Sequence, residues 1–222
     1  IIDMGPGGGD AGGRIVATGT PEEIQILKSL FYGLNESPAP VQMQTVLPQG
    51  EDGEPTRCVW NGLTCTNEFA QLSFTLPSSE WKISTETKLA FYYDLTAADI
   101  TADKVAELPG FIDFDVHNPE TGAAFNLEVL NLRVQGVETT PERYLKDLRD
   151  EWMNDEEFGW TDKGITKETL CGQEYTSLLL VENEDNIPMQ TLVRRQGDCL
   201  LALTFVAVDN GGIRDLKALF QQ

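Results

Sequence analysis

Five polar side chains on two neighbouring strand-like segments are where this chain could do chemistry. From Phe111 to His117 the residues alternate, with Ile112, Phe114 and Val116 on one side and Asp113, Asp115 and His117 on the other. The segment from Ala124 to Val134 repeats the pattern, with Phe125, Leu127 and Val129 opposed to Asn126 and Glu128. A period of two marks half-buried strands. Matching the apolar faces sets Val116 against Phe125, Phe114 against Leu127 and Ile112 against Val129. Asp115 then faces Asn126 and Asp113 faces Glu128. Oxygen ligands at cross-strand spacing suit Ca²⁺ or another hard cation. His117 is the sole histidine, so a Ser-His-Asp or Cys-His hydrolase would need its base there. The plainer reading is a polar strand face turned to water, and it takes precedence, because a flat face rarely offers the roughly six oxygens that Ca²⁺ takes. There is no G-x-S-x-G elbow and no H-E-x-x-H, and Asp/Glu pairs are too plentiful to single out a glycosidase. No catalytic, cofactor-binding or metal-ligating residue is assigned, and no cofactor is expected. Arg194-Arg195 beside a turn could contact an anion; a solvated edge that discourages strand pairing fits the pair better.

The elements that must position these residues are legible nearby. Asn118-Pro119-Glu120-Thr121-Gly122 reads as a turn feeding the Ala124–Val134 strand. Thr139-Thr140-Pro141-Glu142 then starts a helix, with Thr as cap and Pro at the first helical position, where a missing N–H costs nothing. Tyr144, Leu145, Leu148 and Trp152 recur at helical spacing. Burying each is worth about 1.5–3 kcal/mol, enough to dock a helix on a sheet. Ala70, Leu72, Phe74 and Leu76 mark another strand, ended by Pro77; Trp81 and Ile83 resume an extended run, and Phe91-Tyr92-Tyr93 fits a strand or a buried turn. Thr101 to Leu108 has some helical character. Strands follow at Tyr175–Val181, Met189–Arg195 and Cys199–Val208, and Ile213, Leu216, Leu219 and Phe220 form a short amphipathic helix. Strands with intervening helices make an α+β protein, an antiparallel β-sheet flanked by helices.

The chain carries a formal net charge of −20, which repels nucleic acid and anionic membranes at long range and fits cationic partners in a permissive sense. No window of about 18 apolar residues exists to span a membrane. Four cysteines sit at Cys58, Cys65, Cys171 and Cys199. An Asn61-Gly62 type I′ turn would place Cys58 opposite Cys65, and the strand count after Cys171 brings it near Cys199. Two disulfides follow, and with them an oxidising compartment outside the cytoplasm; the competing reading is four buried thiols. The spacings do not suit zinc. The glycine-rich start includes Gly7-x-Gly9-x-x-Gly12, a formal match to a dinucleotide fingerprint, but with no preceding strand or following helix it reads as a flexible leader. The opening suggests a targeting segment removed or left out. Thr20 to Gly33 reads as a capped helix with Ile24, Leu27, Leu30 and Phe31 on one stripe, and 35–55 as a linker. The division expected is therefore 1–56 as leader, helix and linker, and 57–222 as one domain.

Several segments in the region from Arg57 to Gln222 together resemble the Mog1/PsbP-like fold, and in particular the bacterial lipoproteins of unknown function that share it. Those segments are Thr66-Asn67-Glu68-Phe69 leading to Leu72-Ser73-Phe74-Thr75-Leu76-Pro77 and Trp81, then Glu120-Thr121-Gly122-Ala123-Ala124-Phe125-Asn126-Leu127, the helix around Tyr144-Leu145, and Cys171-Gly172-Gln173-Glu174-Tyr175. The strand pair from Arg194 to Cys199 and the terminal helix complete the order. The resemblance implies an α/β/α sandwich with an N-terminal helical extension. It also implies a mostly non-catalytic history: PsbP stabilises a membrane complex and Mog1 binds a small GTPase. The expectation is a monomeric, secreted or surface-anchored binding or accessory protein with a protein or cell-envelope partner. The alternative is an extracellular hydrolase or metal-binding protein using the Asp113, Asp115 and His117 face.

Overall fold

The computed structural model describes residues 2–4, 15–18, 53–101, 104–154 and 159–220. Contacts divide the chain into two units, Ile1–Ala39 and Pro40–Gln222. In the first, β1 (Ile2–Met4) pairs antiparallel with β2 (Ile15–Thr18). A strand therefore does precede the glycine fingerprint, yet an antiparallel strand follows it where a dinucleotide site needs a helix. Gly7, Gly9 and Gly12 themselves, the Thr20–Gly33 helix and the linker up to 52 lie outside the described residues.

The second unit is built on a seven-stranded, wholly antiparallel sheet in the order β6-β7-β8-β12-β11-β10-β9. Its strands are β6 (Lys82–Ile83), β7 (Gly110–His117), β8 (Ala124–Asn131), β9 (Trp160–Leu170), β10 (Gln173–Glu182), β11 (Pro188–Gln196) and β12 (Cys199–Val206). Register aligns Val116, Phe125 and Phe205 in one row, and Phe114, Leu127, Leu203 and Leu192 in the next. Against this apolar face packs a three-stranded sheet of β3 (Val59–Asn61), β4 (Thr64–Asn67) and β5 (Leu72–Thr75). The centre is Phe74, fully buried, with Phe114, Phe125 and Phe220 rings 4.9, 5.0 and 5.0 Å away.

Among the described residues four helices complete the layers: α1 (Glu86–Phe91), α2 (Leu132–Gln135), α3 (Pro141–Met153) and α4 (Asn210–Lys217). The helix α4 is capped by Asp209, whose Oδ1 accepts from Gly212 N at 2.8 Å, and it buries Ile213 and Leu216 in the Phe74 core. On the opposite face lies α3. Thr140 Oγ1 accepts from Arg143 N at 3.2 Å, Pro141 starts the helix, and Leu145, Leu148 and Trp152 are buried. The molecule is thus an antiparallel sheet flanked by helices, with the small sheet sharing one side with α4.

Local chemistry explains where elements depart from the spacing. The strand expected to reach Val134 stops at Asn131, whose side chain accepts from Val134 N and caps the single turn of α2. Thr85 caps α1, which takes in Phe91, while Tyr92 and Tyr93 form a turn, one of the two conformations that fitted the aromatic run; among its described residues the Thr101–Leu108 segment holds a 3₁₀ turn at Val105–Glu107. The edge strand β9 has no apolar alternation: only its two ends, Trp160 and Leu170, are buried.

The cysteine hairpin also shifts. Asn61 stays in the strand and pairs with Thr64, while Gly62 takes φ +61° as the first turn residue, the type II′ position. Trp60 therefore faces Cys65, and Cys58 becomes its diagonal neighbour, where Cα atoms stand about 7–8 Å apart. All four cysteines are free thiols, contrary to the two expected disulfides. For Cys171 and Cys199 the reason is topological: β11 lies between β10 and β12, so the strands they flank are about 10 Å apart, beyond disulfide reach.

Candidate functional site

The register expected for β7 and β8 holds at one end and breaks at the other. Val116 faces Phe125, Asp115 faces Asn126 and Phe114 faces Leu127, but Ile112 faces Glu128 and Phe111 faces Val129. Asp113 is the extra residue of a β-bulge, which re-aims its side chain. It leaves the row of Asp115 and points to the small sheet. There Arg57 Nε donates to Oδ1 at 3.1 Å, Cys58 N to the same oxygen at 2.7 Å, and Asn67 Nδ2 to Oδ2 at 2.7 Å. Arg57 also donates to the Asp113 carbonyl, to the Ile100 carbonyl and to Glu86. Burial pushes the Asp113 carboxyl above its ordinary range despite these donors.

Asp115 and Glu128 remain on the second face of the sheet, which is not wet. Asp113, Asp115 and Asn126 are 1, 1 and 2% exposed, and Glu128 is 7%. Asp115 accepts from Ser84 Oγ and from Lys88 Nζ, the latter at 3.3 Å. Glu128 lies where two covering elements meet: Tyr93 Oη, from the segment after α1, donates to one carboxylate oxygen, and Tyr144 Oη, from α3, donates to the other at 3.0 Å. Tyr93 closes over Gly110, where an added Cβ would stand 2.9 Å from its ring. Burial raises the Glu128 carboxyl, opposed by the two phenol hydrogen bonds, and raises both phenols, helped by the charge on Glu128. This trio can hold a proton at a pH where an exposed glutamate has lost it.

The five residues singled out by spacing are therefore not one site. Asp113 serves the junction with the small sheet, Asp115 ties down α1, and Glu128 joins Tyr93 to Tyr144. His117 ends β7 opposite Lys82 and Ala124. Among the described residues no three His, Cys, Asp or Glu side chains come together to hold a metal ion. The residues missed by sequence reasoning, Arg57, Asn67, Lys88, Tyr93 and Tyr144, come from five separate segments and share no spacing. One signal was present: Phe111-Ile112 puts two apolar residues in succession, a phase break that marks the bulge.

Arg194 is likewise not at a solvated edge. It is buried, with Nε donating to Tyr175 Oη at 3.2 Å, Nη2 to the Ala70 carbonyl at 2.6 Å and Nη1 to Gln196. Its guanidinium carbon stands 5.6 Å from the Tyr175 ring centroid. Arg195 is the exposed member and reaches Glu138 at 3.6 Å. Of the thiols, Cys65 is pushed up by a hydrogen bond with Cys58 and by burial, and burial pushes Cys199 up to about 12.

No family model matches the chain. A short stretch of 33 residues, 15% of this chain, is 64% identical to UvrABC system protein A of Streptococcus pyogenes serotype M1 and, over the same length, 54% identical to that of Neisseria meningitidis serogroup A. The chain spans 4% of the length of these relatives. In structure it is similar to cyanobacterial PsbP (CyanoP) from Synechocystis sp. PCC 6803, at 12% identity and a TM-score of 0.40, over 79% of this chain and 98% of that one.

Proposed function

We propose that this chain is a non-catalytic binding or accessory module of the Mog1/PsbP-like kind, working outside the cytoplasm, secreted or anchored at the cell surface as a lipoprotein. One observation supports the reading above others. Every carboxylate that spacing put forward for chemistry is spent on an internal partner: Asp113 on Arg57, Asp115 on Lys88 and Glu128 on two phenols. A polar network satisfied in this way holds a scaffold rigid; it leaves none of these three acids poised for substrate. The formal charge of −20 then acts at the surface, favouring a protein or cell-envelope partner with a basic face.

Among the described residues no helix is long and apolar enough to cross a membrane.

Fractionation of the producing cells tests the compartment. Recovery outside the cytoplasm is the expected result; recovery in the cytoplasm removes the reading. Replacement of His117 by Ala tests the non-catalytic part against a panel of ester, peptide and glycoside substrates. A wild-type activity abolished by that change would establish a hydrolase instead.

A further inference from the structure

Around Arg194 the structure is rich in donors and short of acceptors. A guanidinium has five N–H groups, and the three acceptors at Tyr175, Ala70 and Gln196 use one on each nitrogen. Two N–H groups are left, one on each terminal nitrogen. Tyr175 Oη accepts from Arg194, and among the described residues its own proton has no acceptor. Burial pushes that phenol upward, so it stays a donor.

No carboxylate answers this charge among the described residues. The neighbouring acid across from Tyr175 on β9 is Glu168, and it is held by Lys217 and Gln190. A buried arginine with neutral partners alone is unusual, because an ion loses several kcal/mol of hydration unless an opposite charge returns it. It is more so in a chain with 36 acids and 16 bases. Of the neighbouring residues, Gln196, which accepts from Arg194, and Cys171 are half-buried, and Gln71, next to Ala70, accepts from Gln173 Nε2 at 2.9 Å.

We propose that Arg194 and Tyr175 form a binding site for a small oxyanion, a carboxylate or a phosphate group, taken up by the two spare guanidinium N–H groups and the Tyr175 hydroxyl. Paired N–H groups of one guanidinium match two oxygens of such a group, which a lysine ammonium does not. The site is independent of the binding role proposed above, and neither stands or falls with the other.

Titration of the full chain with sodium phosphate and, separately, sodium acetate, each against sodium chloride at matched ionic strength, tests it. Arginine Nε–Hε NMR signals and the thermal midpoint are followed together. A saturable millimolar response of one buried arginine signal is expected, with the two arms separating phosphoryl from carboxylate recognition. Arg194→Lys should weaken the apparent affinity about tenfold or more, and Tyr175→Phe several-fold. No saturable change beyond the chloride control in either arm overturns the proposal, as does an affinity unaltered in Arg194→Lys. If that variant does not fold, an affinity unaltered in Tyr175→Phe is equally decisive.

Discussion

Burial keeps the carboxyl of Glu128 protonated to higher pH than the ordinary 4.5, and the same holds for Asp113 from 3.8. Between the ordinary and the raised value the folded chain binds more protons than the unfolded one. The stability each group contributes is therefore complete below its ordinary pKa and is lost as pH rises through the folded value. Glu128→Gln keeps one acceptor and one donor for the two phenols and removes this titration. Its thermal midpoint should fall less than that of the wild type as pH rises above the glutamate range; parallel curves would show that Glu128 does not titrate in this way. Arg57→Met tests the neighbouring cluster. It leaves Asp113 buried with Asn67 and the Cys58 amide as its donors, and removal of one partner of a buried ion pair costs about 3–5 kcal/mol, measurable by urea unfolding at neutral pH. The alternation showed these acids as a row; the Phe111-Ile112 phase break hinted at a bulge but not at which acid it re-aims, because one inserted residue turns a side chain to the other face.

Elements were readable where local chemistry alone sets them. The Thr140 cap and Pro141 start of α3, and its stripe of Leu145, Leu148 and Trp152, are in place. Thr140→Ala removes the acceptor for Arg143 N and should lower stability by about 1 kcal/mol, seen as a lower urea midpoint with an unchanged slope. Where two local solutions compete, spacing was a poorer guide. Asn61-Gly62 permits a type I′ turn, but the chain uses Gly62-Leu63, and a single step of register separates opposed cysteines from diagonal ones. Asn131 could continue a strand or cap a helix, and its side chain does the second. The β9 edge escaped notice because only its end residues Trp160 and Leu170 are buried, so no apolar alternation marks it.

At the scale of the whole Pro40–Gln222 unit, Phe74 joins the small sheet to the large one, and Phe220 reaches it from beyond α4. Phe74→Ala should cost about 3–5 kcal/mol, and because one core serves both sheets the unfolding should remain a single cooperative transition. Two separate transitions in denaturant would show that the sheets hold independently. The sequence by itself determined the antiparallel α+β character, the main strands, the capped helix and the strongly acidic balance, since each follows from periodicity, capping or composition within a few residues. Tertiary structure alone decided that the second sheet face is dry, that Asp113, Asp115 and Glu128 have separate partners, and that Arg194 is buried. The physical reason is that burial and charge pairing depend on segments such as Arg57, Lys88 and Tyr93 arriving from elsewhere in the chain, and no local pattern records their arrival.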